Sequence, residues 1–316
     1  MSPEKNFSPL VIIIGPTAVG KTALAIEVAE HLNGEIISAD SRLFYRGMDI
    51  GTAKPSLDEM RRVPHHLIDV ANPDETWSLA LFQQRAREII AEIHQRNKIP
   101  FLVGGTGQYI RAVTEGWTPP KVLPDPRLRS VLEALSAQHS PYWLHDRLKL
   151  LDPDSATAID ARNLRRTVRA LEVILTSGEK FSTQRGTSAS DYDLLTIGLI
   201  RPRTELYARV DERIELMFAN GLLSEANALL SAGYAPELPS LSAIGYREAV
   251  AVIQNRMTIE EAKTQMKKIT RVFVRRQANW FKEDDRDIHW FNMAPNTTAQ
   301  VSALIKDWLK NNPISE

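Results

Sequence analysis

Apolar positions along this chain follow two rhythms. Short apolar runs at residues 10–14, 35–39, 67–70, 100–103 and 194–200 have the length of a strand and fall short of a buried helix. Between them lie longer stretches whose apolar positions recur three and four apart, the spacing of a helix with one buried face. Strands alternating with helices predict a parallel sheet wrapped by helices, because parallel neighbours need a long crossover. From 118 to about 185 the rhythm changes: Pro119, Pro120, Pro124 and Pro126 punctuate a helical pattern with few strand-like runs. That stretch reads as a helical insertion. From Thr204 onward the pattern is helical almost throughout, with one late strand at 288–291 and a closing helix that includes 306–310. The expected organisation is therefore a core in two parts, 1–119 and 188–316, interrupted by an insertion at 120–187.

Composition narrows the chemistry more than the partners. With 316 residues, 43% of them hydrophobic, the chain can bury a sizeable core, and no apolar stretch approaches the roughly 18 residues of a membrane helix. A cytoplasmic monomer is the expectation. Lys+Arg 39 balance Asp+Glu 39, so any surface for a polyanion must be local rather than global. The absence of cysteine excludes a disulfide framework, a thiolate nucleophile and a Cys-based zinc site.

The first candidate chemistry follows the first strand. Gly15-Pro16-Thr17-Ala18-Val19-Gly20-Lys21-Thr22 satisfies G-x-x-x-x-G-K-S/T and opens an amphipathic helix at 22–32. Such a loop turns successive N–H groups onto phosphate oxygens. The helix N-terminus adds partial positive charge, Lys21 adds a full one, and Thr22 can place its hydroxyl on Mg2+. The fold class this implies is a P-loop NTPase-like parallel sheet wrapped by helices, with the helical insertion as a second domain. Asp40 ends the second apolar run and so projects at the carboxyl edge of the sheet, facing the loop. An ionised carboxylate there suits a general base, a magnesium ligand through water, or a plain helix N-cap.

The residues that follow narrow the choice. Asp40-Ser41-Arg42-Leu43-Phe44-Tyr45-Arg46-Gly47-Met48-Asp49-Ile50-Gly51-Thr52-Ala53-Lys54-Pro55 closely resembles the signature segment of the tRNA dimethylallyltransferases. The resemblance continues in Pro64-His65-His66-Leu67-Ile68-Asp69, Val103-Gly104-Gly105-Thr106-Gly107-Gln108-Tyr109, Arg169-Ala170-Leu171-Glu172-Val173, Ile244-Gly245-Tyr246-Arg247 and Arg275-Arg276-Gln277-Ala278-Asn279-Trp280. It implies transfer of a dimethylallyl group from dimethylallyl diphosphate to the exocyclic amine of the adenosine immediately 3′ of the anticodon in tRNA. It also implies roles: Asp40 as general base, Thr17 at the reaction centre, and Arg213 on the diphosphate. The tRNA anticodon stem-loop is then expected against Asp40, Ser41, Arg42 and Leu43, Thr106, Arg165, Arg166, Thr167, Val168 and Arg169, Ile244, Gly245, Tyr246 and Arg247, and Arg275 and Arg276. The chain departs from the family pattern at Leu43, where a Gln is common, at Asp160-Ala161, where many members have His-Pro, and at Arg275, where Lys is usual.

Two basic stripes bear on RNA. Arg162, Arg165, Arg166 and Arg169 oppose Leu164, Val168, Leu171 and Leu175 on one helical pattern; Lys263, Lys267, Arg271 and Arg275 recur every four residues on another, reinforced by Lys268. Stripes of this kind either track a phosphate backbone or are solvated helix faces. Phe44, Tyr45, Tyr109 and Tyr246 are candidates for stacking on unpaired bases, or for the core. His65 and His66 lack metal-ligand spacing and read as structural or phosphate-adjacent, and the six Trp read as packing. Two rival functions use the same loop. A small-molecule P-loop kinase would use Asp40 on an acceptor hydroxyl. A nucleotide-switch RNA-binding protein would need a guanine-reading N-K-x-D, and Asn97-Lys98-Ile99-Pro100 lacks the Asp.

Overall fold

The computed structural model describes residues 8–117, 120, 122–140, 142–184, 186 and 190–313. The insertion boundaries expected at Pro119, Thr187 and Ser188 fall outside them. Two compact units form: Met1–Thr114 together with Ser190–Glu316, and Glu115–Ala189.

In the first unit, β1 (Ser8–Ile14) leads to α1 (Lys21–His31), β2 (Gly34–Ser38), α2 (Leu57–Arg62), β3 (His65–His66), α3 (Leu79–Gln95), β4 (Ile99–Gly104) and α4 (Gly107–Thr114). The second unit consists of α5 (Pro126–Gln138), α6 (Trp143–Leu151), α7 (Pro153–Ala158) and α8 (Leu164–Ser177). The first unit resumes with β5 (Tyr192–Ile200), α9 (Arg203–Ala219), α10 (Leu222–Ser231), α11 (Tyr246–Ile253), α12 (Ile259–Gln277), β6 (Ile288–Asn292) and α13 (Thr297–Asn311).

The strands form one parallel sheet in the order β3-β2-β4-β1-β5-β6. Because β1 is covered on both faces, nearly every position is apolar. Leu10, Ile12 and Ile14 enter one core with Phe82, Ile90 and Leu102, while Val11 and Ile13 enter the other with Leu24, Ile197 and Val274. One expected strand is displaced. The pairing stretch is His65–His66 rather than 67–70, because Leu67 and Asp69 take φ of 59° and 54° and turn the chain out of the ladder. His66 instead donates to Glu35, a buried carboxylate that Arg96 and Lys98 also hold. No helix among the described residues is long and apolar enough to cross a membrane.

The second unit has its own core of Leu132, Leu144, Leu148, Ile159, Val168, Leu171 and Phe181. Buried Glu172 organises it, accepting from Arg129, from Arg169 and from the Asp125 amide. Leu164 and Leu175, expected on the apolar face of α8, are exposed.

Candidate functional site

The parallel register brings three strand ends to one edge. The β1 loop lies between β4 and β5, and the Ala39 amide donates to Val103 O at 2.8 Å, so Asp40 and the Gly104-Gly105 pair stand beside the loop. Gly15 is needed at its place: it has φ 149°, and a Cβ there would lie 2.7 Å from Leu199 O. Gly20, at φ 112°, then starts α1 from a left-handed position, with no side chain capping the first amides.

Side chains from the loop itself, from the β5–α9 connection and from α9 brace this loop. Lys21 Nζ donates to Pro16 O at 2.8 Å, Arg209 Nε to Ala18 O at 2.7 Å and Arg201 Nε to Val19 O at 2.9 Å. With these carbonyls held, most of the loop's N–H groups remain for a ligand. Two amides are already engaged: Thr17 donates to Gln277 Oε1 at 2.8 Å and Val19 to Pro16 O at 3.4 Å. Arg213 reaches in from α9, with Nη1 3.5 Å from Thr17 Oγ1 and Nη2 3.2 Å from Thr52 O. Its Nε is buried with no partner among the described residues. Thr22 is exposed at the start of α1.

Electrostatics ties Asp40 to these cations. Burial pushes the Lys21 ammonium down to about 8, Asp40 opposes that shift and Arg213 adds to it. Burial also lowers Arg213, again against the pull of Asp40. Asp40 is half-buried; its Oδ1 accepts from the Arg42 amide at 3.0 Å, and its Oδ2 has no partner among the described residues. Beside Arg213 opens a cavity of about 390 Å³, lined by Ile50, Met60, Met217, Asp69 and a deeply buried Lys54. Lys54 is itself paired with Asp49 and Asp69.

Several expected RNA contacts change place. Arg42, Arg247, Arg275 and Arg276 are exposed, and Ser41, Leu43, Thr106 and Ile244 are partly so. Gly245 is buried, and the Tyr246 ring is wholly buried with its hydroxyl donated to Glu225, so the ring is not open to a base. Phe44 is also wholly buried, and Tyr109 packs edge-on against Phe82 at 4.7 Å. In α8, Arg165 and Arg166 are exposed, but Thr167 and Val168 are 1% and 2% exposed and Arg169 is turned onto Glu172 and Val122 O. Arg162 precedes α8 and is paired with Asp160. The stripe on α12 is largely spent within the first unit: Lys263 and Lys267 pair with Glu215, and Arg271 with Asp211. Arg201 and Arg209 carried no signal as single residues, and Gln277 only as part of a family-like block; the fold alone brings the three to the loop.

The chain is similar over most of its length to known proteins. The family model described as IPP transferase matches residues 43–284. A tRNA dimethylallyltransferase from Roseiflexus sp. (strain RS-1) is 46% identical over 301 residues, 95% of this chain and 99% of the relative. The crystal structure of the full-length tRNA isopentenylpyrophosphate transferase from Bacillus halodurans is 40% identical, with a TM-score of 0.72 over 96% of this chain and 98% of that one. A eukaryotic dimethylallyltransferase captured acting on tRNA is 27% identical, with a TM-score of 0.81 over 98% of this chain and 81% of its own.

Proposed function

This chain belongs to the IPP transferase family, and from that premise we propose that the loop of residues 15–22 grips a diphosphate as a leaving group rather than as a phosphoryl donor. The enzyme is a tRNA dimethylallyltransferase: it moves the five-carbon group of dimethylallyl diphosphate onto N6 of the adenosine immediately 3′ of the anticodon. The observation that carries the assignment of roles is that one carboxylate, Asp40, stands within electrostatic reach of two buried cations at the loop, Lys21 and, from α9, Arg213.

The chemistry follows from that arrangement. The ester C–O bond breaks and its electron pair leaves on the diphosphate oxygen, so negative charge grows where Lys21, Arg213 and the remaining loop amides are already oriented. N6 forms the new bond to carbon, and Asp40 accepts the N6 proton as it does so, because a free amine is too weak an acid to lose it beforehand. Thr17, within the loop, has its hydroxyl 3.5 Å from Arg213 Nη1, which supports a place for it at the reacting centre. Among the described residues no group of three or more His, Asp or Glu could hold an ion by itself. That suits Mg2+, which is commonly held by one protein oxygen together with substrate phosphates and water; Thr22, exposed at the head of α1, would hold it. When bound it would neutralise charge on the diphosphate.

The target base must leave the anticodon-loop stack, at a cost of about a few kcal/mol. Arg42, Leu43, Arg247, Arg275 and Arg276 are open to the RNA from the first unit, and Arg165 and Arg166 from the second. The enzyme works as a monomer in the cytoplasm. Incubation with dimethylallyl diphosphate and bulk tRNA, followed by nucleoside analysis, should yield isopentenyl-adenosine, while labelled ATP should transfer no phosphate. Phosphoryl transfer from ATP without any prenylated nucleoside would return the site to the kinase reading.

A further inference from the structure

Gln277 is the last residue of α12, 9% exposed, and its Oε1 accepts from the Thr17 amide at 2.8 Å across 260 positions of sequence. The other side chains that hold the backbone of residues 16–19, namely Lys21, Arg209 and Arg201, each take a carbonyl, while Arg213 meets the Thr17 hydroxyl. Gln277 alone, among the described residues, takes an N–H. The orientation of its carboxamide is dictated by that neighbour, since only an oxygen can face a backbone donor. Its Nε2 lies against Gly105, where an added Cβ would collide with the carboxamide and stand 3.0 Å from Gly15 O. Gly105 thus leaves room for Gln277 between the β1 and β4 loops.

We infer that Gln277 is a positioning residue for Thr17: by withdrawing the Thr17 amide from the phosphate-binding set, it fixes where the Thr17 hydroxyl stands against Arg213. The inference rests on the dimethylallyl-transfer reading of the site. Its physical basis is that a Thr17 peptide released from Gln277 is free to rotate its N–H towards the phosphate site, carrying the hydroxyl away from the guanidinium. A misplacement of this size in a reacting centre costs rate more than binding.

The test compares the wild type with Gln277→Leu, Gln277→Glu and Gly105→Ala, using dimethylallyl diphosphate and an anticodon stem-loop. Gln277→Leu, similar in bulk but without an acceptor, should lower kcat by about 10- to 100-fold while the stem-loop Kd and the melting temperature stay near wild type. Gln277→Glu keeps an acceptor at the same reach and should restore most of kcat, with a raised KM for the diphosphate ester from its added charge. Gly105→Ala displaces the carboxamide without deleting it and should repeat the kcat loss, which keeps the test open if the Leu variant does not fold. Amide exchange of Thr17 in 15N-threonine-labelled protein reads the hydrogen bond without turnover: slow in the wild type and in Gln277→Glu, fast in Gln277→Leu. An unchanged kcat in both Gln277→Leu and Gly105→Ala overturns the inference, and so does a weakened stem-loop Kd with kcat intact, which would make Gln277 an RNA contact. A wild type that yields no isopentenyl-adenosine sinks the functional reading instead, and the exchange measurement still decides the bond.

Discussion

Lys21 has a charge that burial disfavours and a bound diphosphate would restore. Its free-enzyme value near 8 means that the ammonium is about nine-tenths present at pH 7 and mostly lost by pH 9, whereas a phosphate's last ionisation, near 6, is largely over by pH 7. The sign follows: affinity for the ester should peak near pH 7, fall below about pH 6 as the diphosphate takes up a proton, and weaken by about tenfold between pH 7 and 9, and a Lys21→Met variant should bind more weakly with no slope between pH 7 and 9. Calorimetric titration across that range checks it; a level affinity in the wild type would mean that Lys21 does not meet the phosphates. Asp40 has a different part, on the proton of the acceptor. Asp40→Asn should lower kcat by roughly 10²- to 10⁴-fold with ester affinity largely kept, measured as turnover and Kd on one preparation. Undiminished turnover would remove Asp40 from the base role.

At the scale of elements, helix α12 and helix α8 look alike in sequence and differ in what their charges meet. Lys263, Lys267 and Arg271 face Glu215 and Asp211 of α9, so their positive charge is matched inside the unit. Arg165 and Arg166, beyond the Asn163 cap of α8, are exposed. Replacing both Arg165 and Arg166 by Gln should weaken tRNA binding and reduce the slope of log K against log[salt] by about one for each. Replacing Lys263 and Lys267 by Gln should leave that slope near wild type. Binding isotherms at several salt concentrations separate the two, and equal changes in slope would contradict the distinction. Helical periodicity could say that these cations share a face; it could not say that an acidic helix lies opposite one of them.

At the scale of the molecule, the two units have separate cores, and the Glu115–Ala189 unit is built on one chain segment around Leu171 and Glu172. Leu171→Ala, at a position 2% exposed, should destabilise that unit by about 2–5 kcal/mol. Diphosphate affinity should stay within about twofold and tRNA turnover should fall, because the phosphate loop draws its bracing from the other unit. Scanning calorimetry with and without inorganic diphosphate measures both. A diphosphate affinity that drops in step with stability would show that the units do not behave independently.

What the amino-acid sequence determined was whatever depends on near neighbours in the chain. The phosphate loop is a run of eight consecutive residues whose glycines, lysine and threonine act through their own backbone and the helix that follows. The parallel sheet was equally plain, because strands buried on both faces must be apolar along their whole length. The third strand was misplaced by two residues because left-handed conformations at Leu67 and Asp69 leave no mark in hydropathy. Only the tertiary structure decided which side chains remain open: it buried Tyr246 and Val168 and turned Arg169 onto Glu172. It also brought Gln277, Arg209 and Arg201 to the loop from 182 to 260 positions away. Such contacts depend on how helices pack across the sheet, and a pattern read along one strand or helix contains no record of what lies opposite.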